Sequence, residues 1–188
     1  MFTLAYDPTG RLLLTPEDPD APARTRRLRE LGVAVGDEPV PAWDAVARRL
    51  AHATGAARAM VTLVGEHRQF FAGLHVSEGP RGPRSMARDR GFCPYAIVRR
   101  KALVLDDVAD YPRFAGNPVV DEAGVRSYCG APLLEASGTA LAAVAVADLV
   151  PRAWGRHGVA AVKAAAAELT GLLLAGRAPW QPPHPPEV

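Results

Sequence analysis

Ala59-Met60-Val61-Thr62-Leu63-Val64, then Gly65-Glu66-His67-Arg68, then Gln69-Phe70-Phe71-Ala72-Gly73-Leu74-His75-Val76: two short apolar runs flank a polar turn that carries a glycine. Runs of this length around such a turn form a hairpin. The pattern returns downstream, where Tyr128 to Leu134 and Ala140 to Ala147 flank Glu135 to Thr139, with Ser137-Gly138 as the turn signal. Leu141, Val144 and Val146 with their alanines predict a central strand buried on both faces. Strands joined by tight turns are antiparallel.

Outward from the hairpins, the period changes. From Pro41 to Thr54 the apolar positions Trp43, Val46, Ala47, Leu50 and Ala51 recur at helical spacing. Pro41 suits a first turn and Gly55 closes the segment. Val159 to Leu174, alanine-rich with Val162, Leu169, Leu172 and Leu173, predicts a final helix. Between the hairpins, residues 77–90 lose periodicity around Gly79, Pro80, Gly82 and Pro83, as in a long loop that covers a site. Phe92 to Arg100 predicts a short helix and Ala102 to Leu105 a strand, followed by a loop through Tyr111-Pro112 and Asn117-Pro118. The order implies an α+β sandwich with the terminal helices side by side on one face of the sheet.

The ends differ in character. Residues 1–40 are rich in Pro and Asp around Leu12-Leu13-Leu14, with a basic segment from Ala21 to Leu31 that predicts a short helix stopped by Gly32. This leader reads as a docking arm or partner-binding extension ahead of one domain over residues 41–176. Residues 177–188, with Pro179-Trp180-Gln181-Pro182-Pro183-His184-Pro185-Pro186, form a proline-rich tail expected to be disordered.

Composition narrows the function classes. Of 188 residues, 48% are apolar and 22% charged, the balance of one globular domain. A net charge of +2, from 22 basic and 20 acidic residues, gives no excess to drive nucleic-acid binding. Arg24, Arg26, Arg27 and Arg29, and then Arg99, Arg100 and Lys101, read as solvated helix faces. The first residues show no signal-peptide pattern, and no apolar run approaches the roughly 18–20 residues of a spanning helix, so the expected setting is cytoplasmic with no membrane contact. Cys93 and Cys129 are too few for a disulfide framework or a structural zinc site. The histidines His52, His67, His75, His157 and His184 show no pair spaced for one helix face.

Several stretches together resemble the GAF domain family across about residues 41–175. They are Val64-Gly65-Glu66-His67-Arg68-Gln69-Phe70-Phe71, Gly91-Phe92-Cys93-Pro94-Tyr95-Ala96-Ile97, Leu103 to Asp107, Tyr111-Pro112-Arg113-Phe114-Ala115-Gly116-Asn117-Pro118, and Gly130-Ala131-Pro132-Leu133. The resemblance implies a six-stranded antiparallel sheet, terminal helices on one face, and loops and short helices over a pocket on the other. It implies ligand-binding positions at Phe71, Phe92, Cys93, Ile97, Asp106, Tyr111, Phe114, Asn117, Tyr128 and Ala131. Those aromatics could orient a small planar ligand or collapse together as core. The leader and the arginine-rich loop resemble those of actinobacterial stand-alone GAF proteins, some of which accompany histidine-kinase and small-GTPase signalling operons.

Cys93 follows Gly91-Phe92 at an inferred helix start, where the macrodipole can lower a thiol pKa; burial in the core is the reading favoured. Free-methionine sulfoxide reductases of the family resemble the chain near Cys93, but their catalytic cysteine falls in the loop corresponding to residues 114–122, which here has none. Bilin-binding members pair a cysteine with a following histidine, where this chain has Tyr95 and Ala96 after Cys93-Pro94. The expectation is a regulatory module, not an enzyme, without cofactor or metal. It senses an unidentified small molecule or docks a signalling protein, forms a homodimer and acts through another protein. The alternative is a thiol-dependent enzyme resembling free-methionine sulfoxide reductase.

Overall fold

The computed structural model describes residues 16–33, 38–79 and 81–176; Leu12-Leu13-Leu14 and the proline-rich tail lie outside them. Helix α1 spans Ala21–Glu30 and α2 Pro41–Thr54. The first hairpin is β1 (Arg58–Val64) and β2 (Arg68–Val76), followed by β3 (Ser85–Ala87), α3 (Cys93–Arg99) and β4 (Leu103–Leu105). Helices α4 (Pro112–Ala115) and α5 (Pro118–Ala123) precede the second hairpin, β5 (Ser127–Leu134) and β6 (Ala140–Asp148), and α6 (Gly155–Leu174) closes the domain. The six strands form one antiparallel sheet in the order β3-β2-β1-β6-β5-β4.

Strand alternation divides the side chains between two layers. Ala59, Val61 and Leu63 of β1, Cys129, Ala131 and Leu133 of β5, and Val144 and Val146 of β6 face α2 and α6. The opposite, distal face carries Val64, Tyr128, Ala143, Ala145 and Ala147 under Phe92 and Ile97. All nine residues of β6 are buried, as a strand covered on both sides requires. Helix α2 buries Trp43, Val46, Ala47, Leu50 and Ala51, and Gly55, at φ 68°, ends it with its N–H donated to the Ala51 carbonyl. The absent side chain of Gly73 lets α2 lie on β2, since a Cβ there would stand 2.6 Å from the Trp43 carbonyl oxygen.

Three readings of the sequence are corrected. The loop at 77–90 contains the short edge strand β3, and the loop after β4 contains a 3₁₀ turn (Val108–Asp110), α4 and α5. Prolines at the first turns of α4 and α5 start these helices, but each is too short to show a period. Helix α6 begins at Gly155, not Val159, and its 20 residues with a mean hydropathy of 1.2 match a membrane span by length and composition. Its Val162, Ala165, Ala166, Leu169 and Leu173 nevertheless pack on the sheet.

Arg26 and Arg29 are exposed, in keeping with a solvated face, but Arg24 corrects that reading at its own position. It is 1% exposed, donates from Nε to the Val64 carbonyl at 2.9 Å, and pairs with Asp18, whose side chain is 4% exposed. Arg88 reaches the same carboxylate at 3.5 Å and donates to the Pro16 carbonyl at 2.9 Å. Leu28 is sealed in the core, and Arg27 donates two hydrogen bonds to Glu135 at 2.9 and 2.8 Å. The leader helix is therefore fastened to the end of the sheet.

Candidate functional site

On the distal face, the strands and the segments above them enclose a cavity of about 290 Å³. Met60, Phe71, Leu74 and Val76 of the first hairpin, with Tyr128 and Ala147, form its floor. One bank is the run Arg81–Pro83, Met86 and Arg90–Cys93; the other is Val119, Glu122, Ala123 and Val125. The cavity is predominantly apolar and lies at the small end of the usual range for ligand sites, about 300–1,000 Å³.

A single buried asparagine holds the two banks together. Asn117 accepts from the Gly91 N–H at 2.8 Å, donates to the Gly91 carbonyl at 3.0 Å, and caps α5 by accepting from the Val119 N–H at 3.2 Å. Gly91, at φ 76°, turns the chain toward α3 at that clamp. Gln69, also buried, donates from Nε2 to the carbonyls of Ala87 and Arg90 and so fixes the near bank from below.

Beside this space lies a buried polar cluster. The Tyr128 hydroxyl donates to Cys93 Sγ at 3.4 Å, and Thr62 Oγ1 stands 3.4 Å from the same sulfur. The phenol occupies the space left by Gly130. Burial pushes the Cys93 thiol up against the opposing effect of its hydrogen bonds, and burial first, then Cys93, raises the Tyr128 hydroxyl well above its ordinary range. Burial followed by the charge of Asp106 pushes Cys129 up to about 12. Both thiols hold their protons near neutral pH, and the thiolate is the reactive form. Ellman's reagent at pH 8 is accordingly expected to leave both cysteines unmodified in the folded protein and to titrate both in guanidinium; rapid reaction of one thiol in the native state would contradict this.

Four of the ten positions implied by the resemblance line the cavity: Phe71, Phe92, Cys93 and Tyr128. Ile97 and Phe114 lie behind them in the distal core, with Phe114 edge-on to Phe92 at 5.8 Å between ring centres. Asn117 is scaffold, and Tyr111, 39% exposed, does not line the cavity. Asp106 and Ala131 are corrections. Asp106 accepts the Trp154 N–H at 3.0 Å ahead of α6, and Ala131 points to the helix layer because it lies three residues from Tyr128 on one strand. Cys93 and Cys129 consequently belong to opposite layers of the sheet.

Residues not anticipated at the cavity include Arg58, Met60, Leu74, Arg81, Met86, Arg90, Val119 and Ala147. Met60 and Leu74 share a face with Phe71 by alternation, but an extra residue in β2 obscures the count: Val61 pairs with Gly73 and Thr62 with Phe71. Outside the cavity, His52 of α2 and His75 of β2 meet edge to face at 5.7 Å, a pair invisible to helical spacing. Among the described residues no group of three His, Cys, Asp or Glu side chains is placed to hold a metal.

This sheet, with terminal helices on one face and a roofed cavity on the other, is the arrangement of a GAF domain. The GAF domain family profile matches residues 38–173, and the chain belongs to that family. No curated protein sequence matches the chain. The GAF domain of an Acinetobacter phosphoenolpyruvate-protein phosphotransferase is similar at a TM-score of 0.60 and 17% identity, covering 86% of this chain and 97% of its own. The free methionine-R-sulfoxide reductase of Neisseria meningitidis, determined with its substrate, is similar at 0.59 and 19%, covering 94% and 98%. A far-red cyanobacteriochrome photoreceptor is similar at 0.58 and 11%, covering 82% and 93%. At these identities the likeness is one of fold.

Proposed function

We propose that this protein is a non-enzymatic regulatory domain whose distal cavity binds a small molecule and whose output passes, in the cytoplasm, through a second protein. The observation that carries the reading is the cavity itself, about 290 Å³ of mainly apolar space with both banks held by Asn117. Its volume suits a body of one or two rings, not the four of an open-chain tetrapyrrole. The two proton-bound, buried thiols support regulation over thiol chemistry. A signalling protein of the histidine-kinase or small-GTPase type is the proposed recipient, and the proposed assembly is a homodimer through the terminal helices. A ligand can bias such an output only through different affinities for two states.

Native mass spectrometry of protein purified from its own host tests the reading. The expected result is a mass excess that vanishes on denaturation and is lost in Ala147→Leu, which raises the cavity floor. A bare mass before and after incubation with host metabolite extract would sink the ligand reading. Turnover of methionine sulfoxide that disappears in Cys93→Ser would sink the non-enzymatic one, and a monomer by light scattering at tens of micromolar would remove the dimer.

A further inference from the structure

Of the three arginines that line the cavity, only Arg90 pairs with an acid among the described residues, reaching Glu122. Arg58 opens β1 on the distal face, and its Nε is closed off from solvent with no hydrogen-bond partner. Its nearest charge complement, Asp148, is committed elsewhere: the carboxylate accepts from Arg152 Nε at 2.9 Å and from the Leu149 N–H at 2.8 Å, with Arg152 Nη2 at 2.7 Å. Among the described residues Arg58 forms no ion pair, and burial lowers its pKa more strongly than Asp148 raises it. Arg81 lines the same space, solvent-exposed and likewise without an ion pair among the described residues.

A partly buried guanidinium without an ion pair is a cost to the empty protein, because desolvation falls on the charged form and the attraction of Asp148 offsets it only in part. An oxyanion at the cavity mouth would remove that cost. A neutral ligand can offer Nε a carbonyl or hydroxyl acceptor, but it excludes more water from Arg58 without compensating the charge. The guanidinium fork matches the two oxygens of a carboxylate or phosphate, whereas Met60, Phe71, Leu74 and Met86 offer nothing to a charge and favour an apolar body.

We infer that the ligand is a small amphipathic anion, its apolar body over Phe71 and Leu74 and its carboxylate or phosphate group held by Arg58 with Arg81. This rests on the reading of the cavity as a ligand site. The experiment uses the full chain and three probes in calorimetric titration: 4-phenylbutyrate, its amide 4-phenylbutanamide, and phenyl phosphate. The carboxylate is expected to bind at least ten-fold more tightly than the amide, and Arg58→Gln is expected to abolish that preference. Phenyl phosphate binding more tightly than phenylbutyrate would assign the head group as phosphate, the reverse as carboxylate; both support an anion. Unliganded Arg58→Gln should melt no lower than the parent, since the burial cost of this charge exceeds the attraction of Asp148, and an unchanged melting temperature separates a lost preference from misfolding. Equal binding of acid and amide overturns the inference while leaving the cavity a ligand site. Failure of every probe to bind overturns it also, and a bare mass from the host would then remove the site itself.

Discussion

Replacing Arg24 with alanine is expected to cost about 3–5 kcal/mol of stability, the effect of removing one partner from a buried ion pair. For a chain of this size that lowers the melting temperature by roughly 10 °C. The cost arises from what is left behind: Asp18, 4% exposed, keeps among the described residues only Arg88 as a cationic partner, at 3.5 Å, and the Val64 carbonyl loses its donor at 2.9 Å. The double variant Arg24→Met with Asp18→Leu should recover much of the loss, because replacing both charges removes the desolvation cost along with the pair. Chemical denaturation of the three variants checks the argument. A loss below about 1 kcal/mol for Arg24→Ala would mean that the pair behaves as a solvent-exposed one.

Gly73→Val is expected to be the most damaging change in the sheet, at about 3 kcal/mol or more, the upper end for an overpacked core. A Cβ at position 73 would stand 2.6, 2.7 and 2.8 Å from the carbonyl oxygen, carbonyl carbon and Cβ of Trp43, two of them backbone atoms that no rotamer change can move away. Helix α2 would have to lift from β2. Lifting would strain the Val40 N–H bond to the Ala72 carbonyl, 2.7 Å, and the Leu74 N–H bond to the Asp44 carboxylate, also 2.7 Å. Gly171→Ala is the control of opposite sign: that glycine lies in α6 with open space around it, and alanine should stabilise by roughly 0.5–1 kcal/mol. Urea midpoints for both variants give the test, and an unchanged midpoint for Gly73→Val would contradict the close approach of α2.

What could be read from the sequence was local. The two hairpins announce themselves because alternation and turn glycine lie within twenty residues of each other, and α2 because Pro41, five apolar positions and Gly55 agree on one helix. Arg24 could not be read in this way: its acceptor, the Val64 carbonyl, is 40 residues distant, and four arginines in six residues look like a wet surface until that contact is made. The cavity divides along the same line. Tyr128 and Ala131 cannot both face it, since β5 pairs without a bulge between them and residues three apart on such a stretch point to opposite sides, a parity that the bulge in β2 breaks for Phe71 and Leu74. The face of Met60 and Leu74 was obscured by the extra residue in β2, and the far bank by the shortness of α4 and α5. Arg58 gave no signal at all, for an unpaired charge is a property of neighbours, not of a motif.

The Asn117 clamp ties the cavity wall to the leader as well as bank to bank. Gly91 is joined on one side, through that amide, to the first turn of α5, and lies three residues along the chain from Arg88, which grips the Pro16 carbonyl and Asp18 ahead of the leader helix. Val119 is thereby linked by hydrogen bonds to residue 91 and, within one short length of backbone, to the anchor of α1. The far bank and the leader are thus neighbours in one hydrogen-bond network although about 100 residues separate them in sequence.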